Sequence, residues 1–268
     1  MKFITSADNA RYKALLKLAH SSRERRKAGL SILDGIHLVA AYFEFAGRPD
    51  KLIVSRSGLA TGEIQALLRA RAPLEPLLLS DALFKQLSTV ETPTGVLAAV
   101  KTPRLRAIPA EIESCVVLED IQDPGNLGSI LRSAAAAGVE HVLLSHDAVH
   151  AWSPRVLRAA MGAHFMLRIY EQVDLLEFAR GFRGKVIATS RHTDASVYDT
   201  DLAGNVALVF GNEGSGVTQG LLALAHERIA IPMPGKVESL NVAAAAAVCL
   251  FERVRQLSAF SHQQSAKP

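Results

Sequence analysis

"IPMPGKVESLNVAAAAAVCLFERV", residues 231–254, joins a loop holding two prolines and a glycine to a helix that opens on alanines. Pro232 and Pro234 fix the backbone and Gly235 frees it, but none of the three offers a nucleophile. The loop therefore has shape and little general chemistry. The small face at 243–247 suits close helix packing, either within one subunit or across a dimer. Ser239 is an expected N-cap of this helix; it lies outside any G-x-S-x-G context and has no nearby His to activate it. Met233, flanked by the prolines, reads by itself as a packing residue.

Outward from this stretch, the 268 residues are 49% hydrophobic, enough to bury the cores of two ordinary domains or one large one. The longest apolar run, "VAAAAAVCLF" at 242–251, is too short to cross a bilayer. The basic N-terminus lacks an apolar signal core, and Cys115 and Cys249 sit singly inside apolar runs, so a reducing, cytoplasmic compartment is expected. The net charge of +4 conceals a split: residues 1–110 carry 17 Lys+Arg against 9 Asp+Glu, and residues 111–268 carry 13 against 17. An N-terminal part at +8 before a part at −4 implies that the first meets a polyanion and the second does something else.

"VKTPRLRAIPAEIES", 100–114, is proline-rich, charged and aperiodic, and marks a boundary. The expected organisation is a small α/β domain over 1–102, a linker over 103–112 and a second α/β domain over 113–262. In the first, helical patterns near 8–20 and 35–46 alternate with the strand-like runs "KLIVS", "PLLLS" and "GVLAAV". In the second, "CVVLEDI", "HVLLS", "KVIATS" and "NVALVFG" read as buried parallel strands, each followed by a helical stretch. Ligands of such sheets sit beyond the carboxyl ends of the strands. The residues there are "QDPGNLGSILRSAAAAG", "TSRHT", "GNEGSGV" and the 231–241 loop.

Gly211, Gly214 and Gly216 suggest a phosphate cradle, but Val217-Thr218 stands where a Walker loop needs Lys-Ser or Lys-Thr, and neither "GSGVTQG" nor "GNLG" has dinucleotide spacing. ATP binding and nicotinamide chemistry are thereby disfavoured. Asp123-Pro124-Gly125 is a turn, Asn126 an expected helix N-cap, and Arg132 six residues on is placed to share a cleft with it, where a guanidinium grips phosphate in bidentate fashion. His146 and His150 have helical spacing without a third ligand, so no metal is expected.

In order and spacing, "DPGNLGSILRSAAAAG", "LVFGNEGSGV" and "IPMPGKVESLNVAAAAAVCLFE" resemble the three signature motifs of the SpoU, or TrmH-like, RNA 2′-O-ribose methyltransferases of the SPOUT superfamily. "AWSPRVLRAAMGAHF" resembles the intervening helix of that family. "ITSADNARYKALLKL", "DGIHLV" and "TPTGVLAAV" resemble its N-terminal substrate-binding domain.

The resemblance implies a trefoil-knotted methyltransferase domain behind an RNA-binding domain, a homodimer packed through the C-terminal helix, and methylation of a ribose in rRNA or tRNA. It implies S-adenosylmethionine held largely by main chain, with contacts at Gly211, Ile231 and Leu240 and further ones at Thr189 and Met233. It assigns the chemistry to Arg132, with Asn126, Glu213, Ser239 and Asn241 orienting ribose, phosphate and Arg. Arg132 then acts either as a base or, more in keeping with an always-protonated guanidinium, as a clamp on the phosphate and the developing oxyanion. Arg11, Lys13, Arg23, Arg25 and Arg26 are the candidates for RNA phosphates. The competing expectation is an RNA-binding or ribosome-assembly protein of the same fold without turnover.

Overall fold

A computed structural model describes residues 2–71, 75–105 and 107–265. Arg106, inside the expected linker, lies outside the described residues. In chain order the elements are β1 (Lys2–Ile4), α1 (Ala10–His20), α2 (Ser22–Ala28), β2 (Leu30–Asp34), α3 (Ile36–Phe45), β3 (Lys51–Ser55), α4 (Gly62–Ala70), β4 (Leu77–Leu79), α5 (Asp81–Leu87) and β5 (Val96–Lys101). There follow β6 (Ser114–Leu118), α6 (Pro124–Ala136), β7 (His141–Leu144), α7 (Pro154–Ala160), β8 (Arg168–Tyr170), α8 (Leu175–Gly181), β9 (Lys185–Thr189), β10 (Val206–Phe210), α9 (Gln219–Leu224), β11 (Glu227–Ile229) and α10 (Val242–Ser265).

The chain forms two compact units, Met1–Pro103 with Trp152–Phe165, and Arg104–Ala151 with Met166–Pro268. Two placements differ from the expected division. Trp152–Phe165, expected in the second domain, packs with the first unit: Phe165 meets Tyr42 edge to face at 5.1 Å. Gly162, at φ +94°, lies so close to Ala41 that a Cβ would come within 2.8 Å of its methyl. In the expected linker, Ile112 is buried and Ile108 packs beside it in the core of the second unit.

The first unit holds a five-stranded sheet in the order β1-β4-β3-β5-β2, with β1, β4 and β3 parallel and β5 antiparallel to both of its neighbours. Asn9 starts α1 by accepting hydrogen bonds from the N–H groups of Arg11 and Tyr12, and Tyr12, Leu15, Leu18 and Ala19 form its buried face.

The second unit holds a six-stranded, wholly parallel sheet in the order β11-β9-β10-β6-β7-β8. Parallel strands need cover on both faces, which is why all five residues of β10 are apolar and buried. One expectation fails here. No helix follows β9; the chain instead runs on as a loop in which Ser196 bridges Ala230, because "TSRHTDAS" offers turn formers and no apolar helical face.

Helix α10, 24 residues long, packs on α6. Its distal half is pinned by side chains: Gln256 accepts from the Leu202 N–H at 2.8 Å and donates to the Thr200 carbonyl at 2.9 Å. Arg253 donates to the Ser114 hydroxyl at 2.7 Å, at the amino end of β6.

Candidate active site

The carboxyl ends of β6, β10 and β11 deliver three loops to one edge of the parallel sheet, and a chain of hydrogen bonds joins them. Glu213, in the loop after β10, accepts from the backbone N–H groups of Gln122 at 3.3 Å and Asp123 at 3.2 Å, and from Asn126 Nδ2 at 3.0 Å. Asn126 Oδ1 accepts from Asn241 Nδ2 at 2.9 Å. Asn241 Oδ1 accepts from the Ala243 N–H at 2.9 Å, in the first turn of α10.

The orientation of both amides follows from the ends of this chain. An ionised carboxylate only accepts, so Asn126 must turn its NH₂ to Glu213 and its carbonyl to Asn241, which in turn aims its own carbonyl at the helix N–H groups. Each amide keeps a second N–H for a substrate oxygen. Burial pushes the Glu213 carboxyl up, but the hydrogen bonds from Asn126 and from the backbone of Glu213, Asp123 and Gln122 outweigh it and hold the group below the usual Glu value.

Two caps differ from the sequence expectation. Helix α6 starts one turn earlier than expected: Pro124 takes its first position and Asp123 is the N-cap, accepting from the Asn126 N–H at 2.8 Å. Asn126 is thereby released from capping and its side chain is available to Glu213. Likewise Asn241, not Ser239, caps α10, leaving Ser239 two residues before the cap.

The loops that carry this relay are tied to each other by residues that sequence reasoning passed over. Asp120 adopts φ +53°, a left-handed conformation that Asp tolerates better than most residues. Its N–H donates to Ser145 Oγ at 2.8 Å, that hydroxyl donates back to the Asp120 carboxylate at 2.5 Å, and the Asp120 carbonyl accepts from Asn212 Nδ2 at 2.9 Å. Asn212 Oδ1 accepts from the Gly214 and Ser215 N–H groups, so one side chain braces the glycine loop and fastens it to β6. The buried Glu119 does the same at the loop's far end, accepting from Thr218 through both its N–H and its hydroxyl. Asn212 stood inside a flagged glycine stretch; nothing in the sequence marked Asp120.

Beside the relay lies a cavity of about 340 Å³, within the range of small-molecule sites. All five residues expected to hold a cofactor line it, namely Thr189, Gly211, Ile231, Met233 and Leu240, and so do Glu213 and Ser239. Gly211 cradles the floor: a Cβ there would collide with the backbone of Gly216 and Val217. Next to it the wall includes the apolar side chains of Val217, Leu222 and Cys249, which suit a flat nucleoside. Cys249 is fully buried and its thiol is pushed up to about 12, so it serves as wall and not as nucleophile.

Other expected site residues fall elsewhere. Arg132 is exposed on α6, six residues from Asn126 and therefore on another face of the helix; it does not line the cavity and has no hydrogen bond or ion pair among the described residues. Arg25 is buried and turns inward, donating to the Leu18 and Ala19 carbonyls at 2.8 and 2.9 Å, so it closes the end of α1 and is not offered to phosphates. Arg11, Lys13, Arg23 and Arg26 are exposed, Lys13 being paired with Asp8 at 2.8 Å. His150 Nδ1 lies 2.7 Å from a carboxylate oxygen of Glu171.

Known proteins resemble this chain in sequence and in fold. The SpoU rRNA Methylase family profile matches residues 113–251, and that of the MRM3-like substrate binding domain matches residues 9–98. An uncharacterized tRNA/rRNA methyltransferase of Synechocystis sp. is 35% identical over 258 residues, covering 94% of this chain and 93% of that one. The 23S rRNA (guanosine(2553)-2′-O)-methyltransferase RlmP of Bacillus subtilis is 31% identical, covering 94% and 98%. The AdoMet-bound rRNA methyltransferase from Sinorhizobium meliloti superposes with a TM-score of 0.81 at 27% identity, covering 96% of this chain and 98% of that one. The chain belongs to the SpoU rRNA methylase family.

Proposed function

We propose that the protein methylates a ribose 2′-hydroxyl of ribosomal RNA, with S-adenosylmethionine as donor. The observation that carries this reading is the Glu213–Asn126–Asn241 relay set beside a cavity whose floor is closed by Gly211 against the backbone of Gly216 and Val217. The relatives named for 2′-O-methylation of 23S rRNA support ribosomal RNA over transfer RNA as the target class.

S-adenosylmethionine supplies an electrophilic sulfonium methyl, which leaves behind a neutral thioether as the hydroxyl oxygen takes the methyl in line. The enzyme's share of the work is alignment and help with one proton. Glu213, held ionised, orients Asn126 and through it Asn241; their remaining N–H groups hold ribose and phosphate oxygens. Ser239, at the cavity rim, offers its hydroxyl to the same ribose. Arg132 grips the target phosphate and stabilises the developing oxyanion.

A trefoil knot within 113–262 is supported by the strand order, in which the chain leaves β10, passes to the outer side of β9 and returns to pack α10 on α6. A homodimer through α10 is supported by Phe251, a large apolar side chain left 50% exposed there. Such an assembly would let Arg132, outside the cavity of its own chain, serve the cavity of the partner. Arg11, Lys13, Arg23 and Arg26 capture RNA phosphates, and the protein works in the cytoplasm; among the described residues no helix is long and apolar enough to cross a membrane.

The test is purified protein incubated with ribosomal RNA and methyl-labelled S-adenosylmethionine, followed by nuclease digestion. Label is expected on a ribose 2′-oxygen, and Arg132→Ala should lose most of it while remaining folded. Binding of RNA without any label transfer would replace this reading by that of an assembly protein.

A further inference from the structure

The cavity wall contains an uncommitted cation. Arg191, an exposed residue two positions past the end of β9, lines the cavity, yet its guanidinium has no hydrogen bond or ion pair among the described residues. Its base is fixed: the Thr189 hydroxyl donates to the Val209 carbonyl at 3.0 Å, and the Ser190 N–H to the Ile229 carbonyl at 2.9 Å. The other acidic or basic side chains on the wall are His192, Glu213 and Glu238. Glu213 is committed to Gln122, Asp123 and Asn126.

The ligand of the proposed function has two chemically different ends. Its adenosine is flat and neutral and suits the main-chain and apolar wall around Gly211, Val217 and Leu222. Its amino-acid end carries a carboxylate, for which a cation at the cavity wall is the complementary partner. A guanidinium keeps its charge at every working pH and presents two parallel N–H groups to the two carboxylate oxygens. We propose that Arg191 is the clamp for the carboxylate of the methyl donor, so that the loop after β9 reads the amino-acid end while the glycine loop after β10 reads the nucleoside. This rests on the methyltransferase reading.

The test is calorimetry on the full chain with S-adenosylmethionine, S-adenosylhomocysteine and 5′-methylthioadenosine, the last having the same adenosine thioether without the amino acid. Arg191→Ala should weaken the first two roughly 10- to 100-fold, the worth of a hydrogen bond to a charged group, and leave the third unchanged. Arg191→Lys should recover part of the loss, a point charge replacing the fork. Equal losses for all three ligands, or no loss for any, would overturn the clamp. So would a fall in RNA affinity at unchanged donor affinity, which would give Arg191 to an RNA phosphate. Failure of the wild-type protein to bind S-adenosylmethionine at all would overturn the methyltransferase reading itself, a result separable from the others.

Discussion

The relay and the cavity lie side by side and are built in opposite ways. Glu213, Asn126 and Asn241 act through side-chain atoms with defined roles, Glu213 accepting only and each amide both donating and accepting, and they come from the loop after β10, the first turn of α6 and the start of α10. The cavity floor depends instead on close backbone approach at Gly211, so what matters there is where the backbone runs and where no side chain intrudes. A side-chain site is damaged by deleting atoms, and a backbone site by adding them.

The largest effect is expected from adding one methyl group. Gly211→Ala places a Cβ against the backbone of Gly216 and Val217, which cannot swing aside as a flexible side chain would. Overpacking of this kind costs on the order of 1–3 kcal/mol, and here it also moves the cavity floor. Thermal melting should show the lost stability, and calorimetry should show donor binding abolished. Retention of wild-type donor affinity by Gly211→Ala would mean that the floor is not where the donor lies.

Deleting atoms from the relay should do the reverse, sparing donor affinity and reducing turnover. Asn126→Ala and Glu213→Gln are expected to lower the methylation rate on the order of 100-fold, in line with loss of one preorganised polar contact, with donor affinity little changed. The Glu213 carboxyl is lower in the folded protein than in the free side chain, so the relay contributes stability above the ordinary Glu range and loses it as pH falls through the folded value. Activity should accordingly persist to a pH below the usual Glu titration, and Glu213→Gln should remove that acid limb from the rate–pH profile.

A smaller effect separates backbone shape from side-chain bonding at a single residue. Asp120→Ala loses the Ser145 contact and strains a left-handed φ, at a cost of about 1–2 kcal/mol. Asp120→Gly relieves only the strain, while Asp120→Asn keeps left-handed tolerance and an acceptor for Ser145. Rates in the order Asn, Gly, Ala would show that Asp120 positions the relay through both; equal rates for Gly and Asn would assign it backbone shape alone.

Much of the fold was legible because buried parallel strands announce themselves. "CVVLEDI", "HVLLS", "KVIATS" and "NVALVFG" became β6, β7, β9 and β10. The edge strands β1, β8 and β11, three residues each, were not read, since such short runs carry too little apolar pattern to stand out from loops. At the site, ordered motifs located five residues that line the cavity, but single-residue roles shifted with local geometry. Moving the cap of α6 from Asn126 to Asp123 is a three-residue change that converts Asn126 from a structural residue into part of the relay. Arg25 resembled its basic neighbours in sequence, and only burial against the end of α1 distinguishes it. Asp120 depends on a backbone conformation, for which its residue type is a weak signal.

The hydrogen bond between Asn126 and Asn241 joins positions 115 residues apart, and this has a consequence for biosynthesis. A nascent chain that has emerged as far as β11 already owns Asn126 and Glu213, but it has neither the residue that completes the relay nor the rim formed by Ser239 and Leu240. Domains generally fold as they leave the ribosome, earlier segments first. Until α10 has docked on α6, Asn126 therefore lacks its Asn241 donor and the cavity lacks Ser239 and Leu240.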